Sequence, residues 1–580
     1  MHESKTVSTS DIESHRLNGA QTLVEKLEQS GVTVCFANPG TSEMHFVAAL
    51  DRSDSMRSIL CLAETVVTGA ADGYARMSDK PGVTLLHTGP GLGNGIANLH
   101  NAKKALTPIV NVVGEHATYH VEYDAPLTAD INALATPVSH WVDTCQTADE
   151  VEGMTLEAMH QATTHPGRIA TLILPADAAW SDVSPTTEKT NSESGNDKPG
   201  TAAVNNLCSH RQAGPTPAQK NIKAVAELLR KGEPAVMILT GNALRERGLE
   251  AASRLRQATG VEFLAQTSNA RLARGEGRVY IEPVPYQVDA AQALLSPYRH
   301  VIRVCAKAPV AFFAYPDKPS TLSPADANVV TLAEENEDGI AALEALVQEL
   351  QAEAFEPELE PRLNVSAPAA DAAVDSNSLG QILCTCLPAN AIVVDEAITN
   401  GARLPYATRG AQAHDWLQIC GGAIGDGMPL ATGAAIACPD RRVVTVQADG
   451  SGMYCLQALW TQARENLDIT TIVLANRAYA ILKYEFKNVG AHQQKHRADQ
   501  QGGPSSVNNP ANNPSSANNT SNGGQTARDL MELDRPSLDW VSLAEGMGVS
   551  GERVTTNAGL QTALERALST KGPRLIEVLL

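Results

Sequence analysis

The chain has 580 residues, of which 65 are acidic and 45 basic, giving a formal net charge of −20. Hydrophobic residues make up 43% of the chain, a composition that is typical of globular proteins and excludes a disordered one. The acidic balance argues against a nucleic-acid partner and against an anionic membrane surface. No apolar run is long enough to span a bilayer.

The N-terminal segment lacks the apolar core of a signal peptide, and the cysteines are scattered, mostly inside apolar stretches. A free cysteine in such a stretch behaves as a small hydrophobic residue. We therefore expect a reduced, cytoplasmic protein.

Residues 15–182 repeat one pattern, in which a short β-branched run is followed by a Gly, Pro or Asn turn and an Ala-rich helical run. This alternation predicts a parallel sheet with helices on both faces. Similar α/β segments follow at 216–360 and 376–580. Residues 183–215 are polar and predict a linker, and the Asn/Ser-rich stretch 490–526 predicts a disordered insert in the last domain. The predicted fold class is α/β, with three doubly wound parallel-sheet domains.

The most informative segment predicts a buried strand over 443–447, a helix over 453–466 and a second buried strand over 471–475. A right-handed crossover would make the two strands parallel neighbours. Asp449 and Asn476 then lie just past the carboxyl ends of adjacent strands, which is the edge where open α/β sheets bind ligands.

Asp449 offers a carboxylate oxygen and Asn476 an amide oxygen, and both suit Mg²⁺ with phosphate ligands. The amides of Gly450, Ser451 and Gly452 would open the intervening helix and favour a phosphate group. A tight turn that Asp449 merely caps is the alternative. The matching position of Asn476 favours a metal and diphosphate site.

An Ala-Asp-Gly-Ser turn followed by an Asn 27 residues after the Asp resembles the thiamine diphosphate (ThDP) motif. The surrounding sequence resembles the benzoylformate decarboxylase and acetolactate synthase branch of the ThDP-dependent enzymes. The resemblance implies pyrimidine-binding, middle and diphosphate-binding domains. It also implies Mg²⁺ held by Asp449, Asn476 and the main-chain carbonyl of Ala478, with Tyr479 able to reach the diphosphate.

Glu64 follows an apolar run and precedes a helix of small residues, in the order E-x6-A-x-G-Y-A-R. This order resembles the family's activating glutamate, which contacts N1′ of the cofactor's aminopyrimidine. An exposed carboxylate at a helix start is the alternative. The resemblance also implies that Ile424, 25 residues before Asp449, wedges the cofactor into its bent shape, while the Gly422 carbonyl holds its 4′-amino group.

In the first domain, the resemblance to benzoylformate decarboxylase implies that Thr41 contacts the substrate carboxylate and that His87 transfers protons. His116 and His120 lie on the next loop and are alternative acid–base groups. The second catalytic histidine of the decarboxylases is replaced by Ala314, which argues against efficient aldehyde release.

Acetolactate synthases bind FAD across the middle domain and carry a lysine after a first-domain loop. The flavin is therefore a possible cofactor here, but this sequence has Ser139, His140 and Trp141 in place of the lysine, which argues against it. The family's active site combines residues of two subunits, so the resemblance implies a homodimer or a homotetramer.

The leading hypothesis is a ThDP- and Mg²⁺-dependent 2-oxoacid decarboxylase or carboligase, similar to acetolactate synthase, that uses pyruvate or another 2-oxoacid. One alternative is a non-oxidative decarboxylase similar to benzoylformate decarboxylase. The other is a weakly catalytic ThDP-binding scaffold subunit, which is suggested by Ala448 and Ala475 in place of the family's Gly and Asn.

Overall fold

The computed structural model describes residues 16–184, 210–491 and 524–580, and within these ranges the chain forms three helix-covered sheets. The strands pair in parallel apart from one antiparallel pair. This mixed α/β architecture confirms the predicted fold class. The centres of the predicted linker and of the predicted insert lie outside the described residues.

The first sheet has the strand order β2-β1-β3-β4-β6-β5. Its strands are β1 (Val34–Asn38), β2 (Arg57–Leu60), β3 (Gly82–Leu86), β4 (Ile109–Glu115), β5 (Trp141–Thr144) and β6 (Ile169–Pro175). Its helices are α1 (Gly19–Gln29), α2 (Met44–Leu50), α3 (Glu64–Ser78), α4 (Thr88–Lys104), α5 (Ile131–Ala135), α6 (Val151–Thr163) and α7 (Ala176–Trp180). Strands β3, β4 and β6 are buried along their whole length, as expected for strands covered on both faces.

The second sheet has the order β10-β8-β7-β11-β12. Its strands are β7 (Ala235–Leu239), β8 (Glu262–Ala265), β10 (Glu282–Pro283), β11 (His300–Val304) and β12 (Asn328–Ala333). The helices of this region are α8 (Gln219–Arg230), α9 (Glu246–Thr259), α10 (Val288–Leu295) and α11 (Gly339–Glu349). Strand β9 (Leu272–Arg274) leaves this region and pairs antiparallel with the third sheet.

The third sheet has the order β17-β18-β16-β15-β13-β14-β9. Its other strands are β13 (Ala391–Glu396), β14 (His414–Gln418), β15 (Val443–Ala448), β16 (Ile469–Ala475), β17 (Ser550–Val554) and β18 (Arg574–Leu579). The helices are α12 (Ser376–Cys386), α13 (Leu404–Ala407), α14 (Gly427–Ala437), α15 (Asp449–Gly452), α16 (Ala458–Arg464), α17 (Ala480–Asn488), α18 (Gln525–Asp529), α19 (Trp540–Gly546) and α20 (Asn557–Ser569).

Two sequence expectations about this third unit are wrong in their extent. The helix predicted over 453–466 is shorter in the structure, where only Ala458–Arg464 form α16. Residues 453–457 instead form turns after α15 and place Tyr454 against Gly425, where a β carbon would lie 2.5 Å from Tyr454 Cβ. The last residues of the predicted insert begin α18. No helix in the three described ranges is both long enough and apolar enough to cross a membrane.

Helices α3 and α14 connect the first and third units through a close crossing. A β carbon on Gly73 would lie 2.0 Å from the Leu430 carbonyl oxygen, and one on Gly433 would lie 1.8 Å from the Ala70 carbonyl oxygen. The two backbones therefore pack without intervening side chains. The crossing sets the relative position of the segments that begin these helices, and those segments carry the predicted site residues.

Replacing Gly73 with Ala should separate these helices and lower the free energy of unfolding by about 1–3 kcal/mol, because a buried backbone atom occupies the added methyl's position. Urea denaturation measures this change. Gly153, on α6, is a suitable control because nothing lies within 4 Å of the position of its β carbon. Gly153→Ala should stabilise the protein by up to about 1 kcal/mol. Equal stability of Gly73→Ala and the wild type would contradict the close crossing.

Candidate functional site

The predicted residues of the first unit lie at one edge of its sheet. Strand β1 has β2 on one side and β3 on the other, so the strand order reverses there, and such a switch point opens a crevice at the carboxyl ends. Thr41 follows β1, Glu64 follows β2 and His87 follows β3. The structure therefore brings together the three residues that the sequence predicted as catalytic.

Glu64 is the first residue of α3 and is 8% exposed. Its Oε1 accepts a hydrogen bond from Asn38 Nδ2 at 3.0 Å, and its Oε2 accepts one from Asn94 Nδ2 at 3.1 Å. Both interpretations of the sequence placed Glu64 at a helix start, but the alternative in which its carboxylate is exposed is wrong. Two side-chain amides fix the carboxylate, and sequence reasoning missed both of them.

His87 is held by a buried carboxylate that the sequence analysis also missed. Its Nδ1 lies 2.9 Å from Glu43 Oε2, and that same oxygen accepts the Gly40 N–H at 2.7 Å. Ser42 Oγ donates to Glu43 Oε1 at 2.6 Å. The short 3₁₀ turn Thr41–Glu43 thus orients the imidazole and leaves Thr41 exposed at the same edge.

Glu64 and His87 lie on either side of Gly91. A β carbon at this glycine would be 3.2 Å from Glu64 Oε1 and 3.3 Å from His87 Cβ. The Glu64 carboxylate and the Cβ of His87 therefore both approach Gly91, which places two residues capable of acid–base chemistry at one crevice.

The third sheet has a switch point of the same kind as the first sheet. Strand β13 has β14 on one side and β15 on the other, and β16 follows β15, so the order again reverses at a central strand. Asp449 follows β15 and Asn476 follows β16. The predicted adjacency of these residues is confirmed: Asp449 Oδ2 accepts the N–H of Arg477, the residue after Asn476, at 2.7 Å.

The oxygen donors at this edge fit a hard divalent cation. Asp449 is 2% exposed, and burial raises the pKa of its carboxyl group although the N–H groups of Arg477 and Gly450 oppose that shift. A cation would compensate this buried charge. Asn476 Oδ1 accepts the Ala478 N–H at 3.0 Å, which folds residues 476–478 into a tight turn beside Asp449. The predicted metal ligands are thus neighbours.

The predicted diphosphate-binding residues surround the same edge. A β carbon on Gly450 would lie 2.5 Å from Tyr479 Cε1, so the tyrosine ring covers the turn. Ser451 is buried within that turn, and its hydroxyl accepts a hydrogen bond from Gln447 Nε2 at 2.7 Å. The short helix α15 has no side-chain N-cap.

The loop that carries Gly422 and Ile424 follows β14 and is fastened by α4 of the first unit. His100 Nε2 lies 3.1 Å from the Gly421 carbonyl, and Asn101 donates to the Ala423 carbonyl at 2.7 Å and accepts its N–H at 3.1 Å. The Glu64 side chain has no hydrogen bond to this loop among the described residues.

Asn98, also on α4, connects the start of α3, where Glu64 lies, to the loop that carries Ile424. Its Nδ2 lies 2.8 Å from the Thr65 carbonyl and 3.2 Å from the Gly425 carbonyl. The residue after Glu64 and the residue after Ile424 therefore share one amide.

The remaining candidates have different surroundings. The rings of His116 and His120 lie 5.5 Å apart at the end of β4, one strand beyond His87. His140 Nδ1 accepts the Ile169 N–H at 3.0 Å, and burial lowers the pKa of His140 to about 4, so this histidine is structural. Next to Ala314, Tyr315 donates its hydroxyl to Glu485 Oε1 at 3.2 Å.

Two family models match the chain. The model described as "Thiamine pyrophosphate enzyme, N-terminal TPP binding domain" matches residues 17–140, and the model described as "Thiamine pyrophosphate enzyme, C-terminal TPP binding domain" matches residues 401–578. These two ranges contain all of the predicted site residues.

Relatives with similar sequences cover nearly the whole chain. A putative acetolactate synthase large subunit IlvX of Mycobacterium tuberculosis is 45% identical over 97% of this chain and 99% of its own. A benzoylformate decarboxylase of Pseudomonas aeruginosa is 25% identical over 96% of this chain and 97% of its own. Among solved structures, a thiamine diphosphate-dependent 4-hydroxybenzoylformate decarboxylase of Rhodococcus jostii has a TM-score of 0.74 at 23% identity. The match covers 97% of this chain and 99% of that structure's chain. The chain therefore belongs to the thiamine pyrophosphate enzyme family, in the group of acetolactate synthases and benzoylformate decarboxylases.

Proposed function

We propose that this protein is a ThDP- and Mg²⁺-dependent 2-oxoacid decarboxylase and carboligase of the acetolactate synthase type. The observation that carries the proposal is the position of Glu64, a buried carboxylate held by two amides in a crevice next to His87. A protein that only bound the cofactor would have no use for an acid placed in this way. The relative that shares 45% of its residues supports the synthase assignment.

The third unit would hold the cofactor. Asp449, Asn476 and the Ala478 carbonyl would ligate Mg²⁺, and the turn at Gly450 and Ser451 would receive the diphosphate at the amino end of α15. When bound, thiamine diphosphate supplies a nucleophilic carbon and an electron sink for the decarboxylation of a 2-oxoacid.

The residues of the first unit would move protons. Glu64 would share a proton with the aminopyrimidine, and the Gly422 carbonyl would accept a hydrogen bond from the amino group while Ile424 supports the bent cofactor. Glu43 would keep the His87 ring in one orientation, with its Nε2 free to exchange a proton with the substrate. The Thr41 hydroxyl would donate to the substrate carboxylate. The reaction needs no flavin in this scheme.

The oligomeric state is part of the proposal. In the family, the glutamate and the metal site that act on one cofactor come from different subunits, so we propose a homodimer or a homotetramer with a shared active site. Several large apolar side chains within two residues of Glu43, Glu64 or Gly452 are exposed in the single chain, as expected for a surface that a second copy covers: Met44, Leu62, Met453 and Tyr454.

A second candidate, aryl 2-oxoacid decarboxylation, is favoured by one observation. Phe312 and Phe313 are half exposed, and a β carbon on Gly422 would lie 2.5 Å from Phe312 Cζ. These rings would form an apolar wall for a large substrate side chain.

Product analysis separates the two candidates. The purified protein is incubated with ThDP and Mg²⁺ and either pyruvate or benzoylformate. Acetolactate from pyruvate is the expected result. Release of benzaldehyde without any product from pyruvate would replace the first candidate with the second.

Replacing Glu43 with Gln should lower turnover about ten- to a hundredfold, because a hydrogen bond to a charged group contributes about 1.5–3 kcal/mol and the neutral amide removes the charge that strengthens the bond to His87. Steady-state kinetics measure the change. The pair of His300 and Glu233, 2.6 Å apart in the middle unit, provides the control. Glu233→Gln should leave kcat unchanged, and equal kcat for both variants would contradict a positioning role for Glu43.

A further inference from the structure

Glu396 is a buried acid to which the proposed reaction assigns no role. It is the last residue of β13, the strand at which the order of the third sheet reverses, and it is 1% exposed. A carboxylate in such a place needs several hydrogen-bond donors to offset its desolvation. Burial raises the pKa of Glu396, and the surrounding N–H groups oppose that shift.

The donors to Glu396 come from two different parts of the site. Oε1 accepts the Gly425 N–H at 2.6 Å, and Oε2 accepts the Gly427 N–H at 2.6 Å. Oε2 also accepts Gln447 Nε2 at 3.0 Å, and this amide donates to Ser451 Oγ at 2.7 Å. One carboxylate thereby joins the loop of Ile424 to the turn of Ser451.

The loop needs such an anchor because its backbone has wide conformational freedom. Gly422 and Gly425 have φ values of +77° and +99°, which glycine adopts readily along with many other conformations. Without external bonds the segment would sample these alternatives. Glu396 restrains it on the side of the third sheet, and α4 restrains it on the side of the first unit.

The restraints follow an alternating pattern. Gly421, Ala423 and Gly425 each have a backbone hydrogen bond to a side chain of α4 or to Glu396. The Gly422 carbonyl and the Ile424 backbone have no such bond to any residue that the structure describes. The two unbonded residues are the ones to which the family resemblance assigns contacts with the cofactor.

We propose that Glu396 is a positioning residue that sets the distance between the two ends of the cofactor site. Its carboxylate holds the loop so that the Gly422 carbonyl and the Ile424 side chain face the pyrimidine, and through Gln447 it holds Ser451 at the diphosphate. The inference rests on the proposed use of ThDP. It assigns no proton transfer to Glu396.

The test uses the full-length protein with ThDP and Mg²⁺. Glu396→Gln keeps the size of the side chain, but its NH₂ group must face either a backbone N–H or the Gln447 amide. We expect ThDP affinity to fall at least tenfold. At saturating ThDP, exchange of the cofactor's C2 proton with deuterium should also slow at least tenfold, which a purely structural residue would not cause once the cofactor is bound.

Asp395→Asn is the matched control, because Asp395 precedes Glu396 on the same strand, faces the opposite side and accepts the Ala397 N–H at 3.1 Å. This variant should retain the wild-type affinity for ThDP and the wild-type rate of exchange of the cofactor's C2 proton. If Glu396→Gln does not fold, Gln447→Met removes the bonds from Gln447 to Glu396 and to Ser451 but leaves the Gly425 and Gly427 bonds to Glu396 in place, and it should still lower ThDP affinity.

The outcomes separate this inference from the proposed function. Wild-type affinity and exchange in Glu396→Gln, or unchanged affinity in Gln447→Met, would overturn the role of Glu396 alone. A wild-type protein that binds no ThDP would overturn the proposed function and this inference with it. Neither readout depends on the identity of the 2-oxoacid.

Discussion

Replacing Glu64 with Gln should lower turnover by a factor of about 10²–10⁴, which is the usual contribution of a positioned acid or base. The amide keeps the shape of the carboxylate but cannot take up a proton from the aminopyrimidine. The affinity for ThDP should change much less, because Asp449 and the turn at Gly450 provide the anchoring contacts. Calorimetric titration with ThDP and measurement of kcat separate the two effects.

The control for this variant is Glu28→Gln, in the same unit. Glu28 lies on α1 and accepts hydrogen bonds from Ser53 and Ser55, away from the crevice. Its replacement should leave kcat unchanged. Full activity of Glu64→Gln would show that another group activates the cofactor, and equal losses in both variants would point to a general disturbance of the first unit.

Replacing Asp449 with Asn should abolish the stabilisation that ThDP and Mg²⁺ confer on the protein. A ligand at a hundred times its Kd raises the free energy of unfolding by about 2.7 kcal/mol. Burial raises the pKa of Asp449 and the N–H groups of Arg477 and Gly450 only partly oppose that shift, so a bound cation would offset the remaining cost of its charge. A neutral amide removes that attraction, so thermal unfolding should show a cofactor-induced rise in Tm for the wild type only.

Asp468 offers a matched control at the opposite edge of the same sheet. It precedes β16, and its Oδ1 accepts the Gly572 N–H at 2.7 Å. Asp468→Asn should lower the Tm of the cofactor-free protein and leave the cofactor-induced rise unchanged. A full rise in Asp449→Asn would contradict the assignment of Asp449 as a metal ligand.

The sequence predicted the sheets well, because parallel strands buried on both faces are continuous β-branched runs. The strand after Arg442 and the strand before Asn476 were expected within two residues of their observed ends. The placement of Asp449 beside Asn476 followed from strand order alone. The chain's own periodicity and turn residues were sufficient for that part of the site.

Features that depend on contacts distant in sequence were not predictable in the same way. Strand β9 pairs with β14 across more than a hundred residues, and the bend between α15 and α16 brings Tyr454 against Gly425. Neither the strand pairing nor the Tyr454 contact is indicated by a pattern in the neighbouring sequence.

The buried polar partners were missed for a related reason. Glu43 lies one turn past β1 and Glu396 ends β13, and each appeared in the sequence as an ordinary strand-end residue. Their roles come from the close approach of His87 in one case and of Gly425 in the other. A systematic inspection of acids at the carboxyl ends of strands next to a switch point would have found both.

The most direct test of the central claim is CO2 release from a panel of 2-oxoacids that includes pyruvate, branched-chain and aryl members. The proposed function predicts release from at least one member, dependent on both ThDP and Mg²⁺ and greatly reduced in Glu64→Gln. A protein that binds ThDP but releases CO2 from none of them would contradict the enzymatic assignment and favour the cofactor-binding scaffold.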